Sequence, residues 1–327
     1  LAGTLLAFCV VVFGAYVRLS NAGLGCPDWP GCYGHVTPAG AVAADAGTAQ
    51  APLHVGKAWR EMIHRYGATT LGLIILVIAF LCLRWRRHAQ VPVALPLTLV
   101  GLVIFQGLLG MWTVTLLLKP LIVTAHLAFG LTTLAMLWWL WMSLRPRGGQ
   151  WSGTVRSAAA ALPPAPGLQR LCTIALLALI IQILLGGWTS TNYAAVACPD
   201  FPRCQASWWP QADFRDAFVV WRGLGINYEG GVLDSASRVA IHFTHRLGAM
   251  VATLSLLLAA ILTLRLRKQP ASRRAAVLVL AALALQLCIG IFMVLRGFPL
   301  QIATAHNAGA ALLLLATLAL YRSLRQG

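Results

Sequence analysis

Eight stretches of this chain are almost continuously apolar, at roughly 1–19, 62–83, 93–115, 120–144, 171–190, 236–264, 275–295 and 299–321. Each is close to the ~20 residues that a helix needs to cross about 30 Å of hydrocarbon. The runs are too long and too uniformly apolar for barrel strands, so the backbone must satisfy its own hydrogen bonds as helices. Composition excludes a soluble fold. Only 10% of residues are charged, against about 25% in soluble domains, which leaves too few polar side chains to cover a surface. The chain therefore reads as an all-α integral membrane protein with eight transmembrane helices surrounded by membrane lipid. Leu1 already lies inside the first run, which has no basic leader and no small-residue cleavage site. A retained first helix is expected, with a native start upstream of Leu1.

The formal charge of +17 is no nucleic-acid footprint, because of where it lies. With eight spans, the segments 84–92, 145–170, 265–274 and 322–327 share one side. They carry Arg84, Arg86, Arg87, Arg145, Arg147, Arg156, Arg170, Arg265, Arg267, Lys268, Arg273, Arg274, Arg322 and Arg325, 14 basic residues with no acidic one among them. The other 11 basic residues and all eight acids fall on the opposite side. Short basic loops stay in the cytoplasm, so the termini are expected there too. Trp138, Trp139 and Trp141, close to Arg145, sit where an interfacial aromatic belt is expected.

Within this frame the sequence repeats itself. Thr124-Ala125-His126 recurs as Thr304-Ala305-His306, and Gln106-Gly107-Leu108-Leu109-Gly110 as Gln286-Leu287-Cys288-Ile289-Gly290, both at an offset of 180. His64-Arg65-Tyr66-Gly67-Ala68 returns as His245-Arg246-Leu247-Gly248-Ala249 at 181. Gly14-Ala15-Tyr16 corresponds to Gly186-Gly187-Trp188, and Cys26-Pro27-Asp28-Trp29-Pro30-Gly31-Cys32 to Cys198-Pro199-Asp200-Phe201-Pro202-Arg203-Cys204, both at 172. Two units follow, 1–144 and 171–327, joined by an Ala-, Pro-, Gly- and Arg-rich cytoplasmic linker at 145–170. Each holds four helices and one long external loop, 20–61 or 191–235. Equal, even helix numbers give both units the same orientation. They are expected to be parallel repeats, two four-helix bundles related by a pseudo-two-fold axis along the membrane normal.

His64, His126, His245 and His306 all lie on even-numbered spans, a few residues from the external end. Ionisable side chains inside a span point to a functional site. Paired histidines from two helices of a bundle hold a flat iron porphyrin through axial imidazoles; His64 with His126 and His245 with His306 would make two such sites. Hydrogen-bonded packing histidines are the alternative. Glu61 lies one turn before His64 on the same helix face, and His242 holds that place before His245. Arg65 and Arg246, next to the ligand candidates, are candidates for heme propionates or for snorkelling to the interface.

The cysteines divide by position. Cys9, Cys82, Cys172 and Cys288 lie in spans and read as small packing residues. Cys26/Cys32 and Cys198/Cys204 lie on the oxidising side, where disulfides persist. The second pair is expected to be a structural disulfide, and the first either structural or redox-exchanging. The middle of the first external loop, 37–50, is Ala- and Gly-rich and expected to be mobile. In the second, Ala217-Phe218-Val219-Val220-Trp221 is expected to form a short interfacial helix, and the loop as a whole to act as lid or cap.

Six stretches together resemble the heme A synthase family, bacterial and mitochondrial, over essentially the whole chain. They are Cys26-Pro27-Asp28-Trp29-Pro30-Gly31-Cys32, Glu61-Met62-Ile63-His64-Arg65, Thr124-Ala125-His126, Asn227-Tyr228-Glu229-Gly230-Gly231-Val232-Leu233-Asp234, Ile241-His242-Phe243-Thr244-His245-Arg246 and Thr304-Ala305-His306-Asn307. The resemblance implies an oxidoreductase of the bacterial cytoplasmic membrane. It would oxidise the C8 methyl of heme O, by successive hydroxylations, to the formyl group of heme A, for cytochrome oxidase assembly. A resident heme b would sit between His245 and His306, with Arg246 and His242 beside it. The substrate heme O, later the product heme A, would sit between His64 and His126, with Glu61 assisting the chemistry and Arg65 nearby. The pair Cys26/Cys32 is implicated in disulfide or electron-transfer roles. The implied partners are a heme O synthase as donor, the cytochrome oxidase assembly machinery as acceptor, and an electron partner left unspecified; a homo-oligomer is left open. Two other functions compete: a non-catalytic di-heme membrane electron-transfer cytochrome, and a thiol–disulfide protein passing electrons from the external cysteines to quinone.

Overall fold

The computed structural model describes residues 1–47, 52–89, 93–144 and 166–325. Ten α-helices form among them: α1 Ala2–Leu19, α2 Pro38–Ala43, α3 Val55–Ala89, α4 Ala94–Thr115, α5 Pro120–Leu144, α6 Pro166–Thr191, α7 Phe214–Ala217, α8 Ser235–Leu266, α9 Pro270–Leu295 and α10 Leu300–Arg325. All but α2 and α7 are long and apolar enough to cross a membrane, so the eight apolar runs are eight helices. Proline opens α2, α5, α6 and α9, where its missing N–H costs nothing. Asp234 caps α8 by accepting from the Ser237 N–H at 2.7 Å, an N-cap contact of the usual kind. Helix α6 begins at Pro166, ahead of the apolar run that marks it. The rest of the expected linker, including Arg145, Arg147 and Arg156, lies outside the described residues.

In the first half α1 packs on α3 and α5, α3 on α4, and α4 on α5. In the second, α6 packs on α8 and α10, α8 on α9, and α9 on α10. Between the halves α1 meets α10, α5 meets α6, and α5 meets α10. One apolar core crosses that seam, with Leu134, Leu137 and Leu140 of α5 joined to Leu313, Leu314 and Leu320 of α10. Polar contacts tie it further. Trp138 Nε1 donates to the Leu315 carbonyl at 3.1 Å, and the Thr124 and Thr191 hydroxyls meet at 3.3 Å. Trp138, stacked on Trp141 at 4.7 Å, is thus a seam residue as well as a candidate for the interfacial belt. Outward faces are apolar, with Leu73, Leu76, Val77 and Phe80 of α3 and Leu254, Leu258 and Ile261 of α8 exposed. Such stripes would be an aggregation hazard in water and are what lipid covers. Cys82 and Cys172 pack inside, but Cys9 and Cys288 face outward.

The loops at one end of the bundle are compact. Both cysteine pairs form disulfides, Cys26–Cys32 and Cys198–Cys204, each with a Cα–Cα distance of 4.7 Å. The first packs on Ala58 and Met62 of α3, the second on Val239 and Phe243 of α8. In each an aspartate closes the turn. Asp28 accepts from the Tyr33 and Gly34 amides at 2.6 and 2.8 Å, and Asp200 from those of Gln205 and Ala206 at 2.7 and 2.8 Å. Within 37–50, expected to be mobile, Thr37 caps the short helix α2; residues 48–50 lie outside the described residues. The interfacial helix expected at 217–221 is displaced to Phe214–Ala217. The Asp213 side chain caps its start, and Val219 and Val220 lie beyond its end without regular secondary structure.

Past α7 the second loop crosses onto the first half. The Tyr228 N–H donates to the Leu117 carbonyl at 3.0 Å, and Lys119 Nζ to that of Gly223 at 3.2 Å while lying over the Trp221 ring. Lys57 pairs with Glu229 at 3.7 Å. In this structure the loop caps the turn between α4 and α5.

Candidate functional site

The four repeated histidines come from α3, α5, α8 and α10, each about 9–15 Å from its helix start at 1.5 Å per residue. All four lie toward the end that carries the disulfide loops. The His64 and His126 rings face one another with centroids 6.5 Å apart and planes at 78°. An imidazole nitrogen binds a first-row metal at about 2 Å, so two rings flanking one ion have centroids about 6 Å apart. His245 and His306 hold the corresponding places on α8 and α10. Among the described residues no three His, Cys, Asp or Glu side chains form a metal-binding group; these imidazoles come in twos, the number of axial positions on a porphyrin iron.

Each ring lies against bare backbone of the preceding spanning helix. A Cβ added to Gly14 would stand 2.8 Å from Cε1 of His64, and one on Gly110 3.4 Å from Cε1 of His126. The corresponding distances are 3.1 Å from Gly186 to His245 and 2.9 Å from Gly290 to His306. Nδ1 of His64, His126 and His306 is buried without a hydrogen-bond partner. A polar atom left so in an apolar bundle costs free energy, unless a ligand that changes the ring's proton bookkeeping belongs there. The facing rings of the first half, the four glycine cradles and the orphaned nitrogens are features that would fit an iron porphyrin.

Glu61 is 4% exposed and fixed from two sides. Its Oε1 pairs with Arg65 at 2.5 Å, and its Oε2 accepts from the Cys26 N–H at 2.9 Å. The carboxylate therefore joins the first disulfide loop to the helix turn that carries His64. Its counterpart His242, 5% exposed, accepts through Nε2 from Arg246 Nε at 3.3 Å. Arg65 also donates to the carbonyls of Asp28, Pro30 and Gly31, and Arg246 to those of Cys198, Asp200 and Arg203 at 2.6–2.9 Å. Both arginines thus latch a disulfide loop onto a histidine helix. The halves share this latch and differ in the group beneath it, a carboxylate in the first and an imidazole in the second.

The sequence model for the COX15-CtaA cytochrome oxidase assembly proteins matches residues 1–318. The chain belongs to this family. It is similar to a heme A synthase of Shewanella oneidensis, 44% identical over 310 residues that cover 94% of this chain and 89% of that one. It also resembles a heme A synthase of Rhodopseudomonas palustris, 30% identical over 95% of this chain and 85% of the other, and one of Paracoccus denitrificans, 27% identical over 93% and 81%.

This COX15-CtaA chain carries one further group at the site that the sequence patterns leave unremarked. Gln182 lies on α6 four residues before Gly186, as Gln106 and Gln286 lie before Gly110 and Gly290. Its Nε2 reaches Nδ1 of His245 at 3.0 Å and donates to the His245 carbonyl at 3.0 Å. The signal was available as a third copy of Gln-x-x-x-Gly. It breaks at the fourth place, where Val10 precedes Gly14.

Proposed function

We propose that the chain is a heme A synthase, oxidising the C8 methyl of heme O by successive hydroxylations to the formyl group of heme A for cytochrome oxidase assembly. The observation that carries this is the facing pair His64 and His126, with buried Glu61 one turn away, in a chain 44% identical to a heme A synthase. Heme O, the substrate, is held in the first half, 1–144, between those histidines. A resident heme b is held in the second, 171–327, between His245 and His306, with His242 and Arg246 beside it. When bound, it supplies one-electron chemistry.

Glu61 takes up and returns protons at its carboxylate while the methyl is oxidised, as a positioned carboxylate does in general acid–base catalysis. Its bonds to Arg65 and Cys26 fix it in place, and the disulfide loop keeps bulk water from the site. Arg65 and Arg246 would hold heme propionates with the N–H groups not spent on loop carbonyls. The matched packing of α1, α3, α4 and α5 against α6, α8, α9 and α10 supports a pseudo-two-fold axis along the membrane normal. So does the exchange of α1–α10 for α6–α5 across the seam. The one-sided distribution of basic residues supports cytoplasmic termini, with the disulfide loops and histidines on the outer side. Family membership supports a heme O synthase as donor and the oxidase assembly machinery as acceptor.

The test is conversion of heme O by purified protein, with products identified by mass. His126→Ala is expected to lower conversion by at least about 100-fold, since groups that merely support a metal ligand are worth 10–100-fold. Heme b should be retained. The double variant Cys26→Ser/Cys32→Ser is expected to keep converting. The opposite pattern, conversion lost with the cysteines and kept in His126→Ala, would establish the thiol–disulfide alternative.

A further inference from the structure

On each histidine helix a glycine three or four residues past the histidine meets the residue that stands four before the cradling glycine on the neighbouring helix. On three of the four interfaces that residue is glutamine, and its carboxamide fills the space of the missing Cβ. A Cβ on Gly248 would stand 2.4 Å from Gln182 Oε1, one on Gly309 2.2 Å from Gln286 Oε1, and one on Gly130 3.0 Å from Gln106 Nε2. Each amide also touches its histidine. Gln106 donates to the His126 carbonyl at 2.7 Å, Gln182 reaches both the ring and the carbonyl of His245, and Gln286 lies 3.3 Å from Nε2 of His306. At the fourth interface Gly67 faces Val10, whose Cγ2 is 3.3 Å from the same construction point.

The residues at these interfaces carry two sets of buried atoms without partners. The Oε1 acceptors of Gln106, Gln182 and Gln286 are unpaired, and so is Nδ1 of His126 and of His306. An imidazole that binds iron through one nitrogen carries a proton on the other, and that N–H needs an acceptor, which also fixes the ring and raises its basicity. We infer that Gln106, Gln182 and Gln286 are positioning residues, each turning its carboxamide oxygen to the imidazole N–H of its iron-bound histidine. His64 has no such partner. Nδ1 of His64 is buried and unpaired like those of His126 and His306, but Val10 stands where the other three interfaces have glutamine. His64 would therefore be the most weakly held of the four ligands when iron is bound. Any exchangeable position would then lie in the first half, beside Glu61, while both histidines of the second half keep a glutamine partner.

The inference rests on the assignment of the histidines as axial ligands, and the experiment separates the two. Full-length protein is purified in detergent with its hemes, reduced with dithionite and titrated with carbon monoxide, and heme retention is followed by absorbance through a dilution series. Gln182→Met keeps the shape and removes the acceptor; it is expected to weaken retention of the resident heme about 10–100-fold. Gln182→Glu, which keeps an acceptor, should restore it. A role in space-filling alone would be met by methionine as well as by glutamate, and retention would then not fall in Gln182→Met. Carbon monoxide should bind only at the first-half heme, and Val10→Gln, which places a carboxamide in the recess facing Gly67, should weaken that binding about 10-fold or more. Retention unchanged in Gln182→Met, or carbon monoxide binding unchanged in Val10→Gln, overturns the inference while the ligand assignment stands. Heme spectra unchanged in His245→Ala and in His64→Ala overturn that assignment and the inference with it.

Discussion

Glu61→Gln protein is expected to keep its resident heme and to lose about 10²–10⁴-fold in conversion of heme O, the range over which a positioned acid–base group acts. The substitution isolates proton work from architecture. A glutamine at position 61 can still accept from the Cys26 N–H through its amide oxygen. Arg65 keeps its bonds to the carbonyls of Asp28, Pro30 and Gly31, so the latch on the first disulfide loop persists. The amide cannot take up a proton, and the charge pair with Arg65 is gone. The measurement is heme b content by absorbance beside product formation by mass. Loss of heme b from Glu61→Gln would show that the two halves have been assigned the wrong way round.

His306→Ala is expected to act in the opposite sense, emptying the second half and with it halting conversion. A ligand that binds only the folded chain stabilises it by about 3–4 kcal/mol when present at 100–1,000 times its dissociation constant. That contribution should vanish with the axial ligand, and the purified variant should unfold at lower temperature than the parent. His126→Ala, losing a substrate ligand, should unfold with the parent. The contrast is informative because the two histidines hold equivalent places, each in a Thr-Ala-His run and each against a glycine of the preceding spanning helix.

The eight spans were legible because hydrocarbon leaves the backbone few choices, so that length and apolarity alone mark a crossing. The repeat was legible because it preserves chemistry at fixed offsets. The start of α3 was not, since Lys57, Arg60 and Glu61 carry the helix past its apolar run. Nor was α7, whose four residues are set by the Asp213 cap and carry no periodic pattern. Within the candidate site the histidines, Glu61 and the cysteines stand out as polar residues in or beside apolar runs. Arg65 and Arg246 stood out too, but their hold on loop carbonyls depends on how the disulfide loops fold back over α3 and α8, which no local pattern encodes. Gln182 is the clearest case. It acquires meaning only when α6 is laid against α8 and its amide is found on the histidine, and Val10 only when the other three interfaces are in view.

The central claim is that this chain converts heme O in its first half while a heme b resides in its second. The most direct measurement is extraction of the bound hemes from protein produced with and without a source of heme O, each heme identified by mass. Heme b in both preparations, joined by oxidised derivatives of heme O only where the source is present, is the expected result. Heme b alone in both, with no oxidised product, would contradict the claim and leave a di-heme electron-transfer protein.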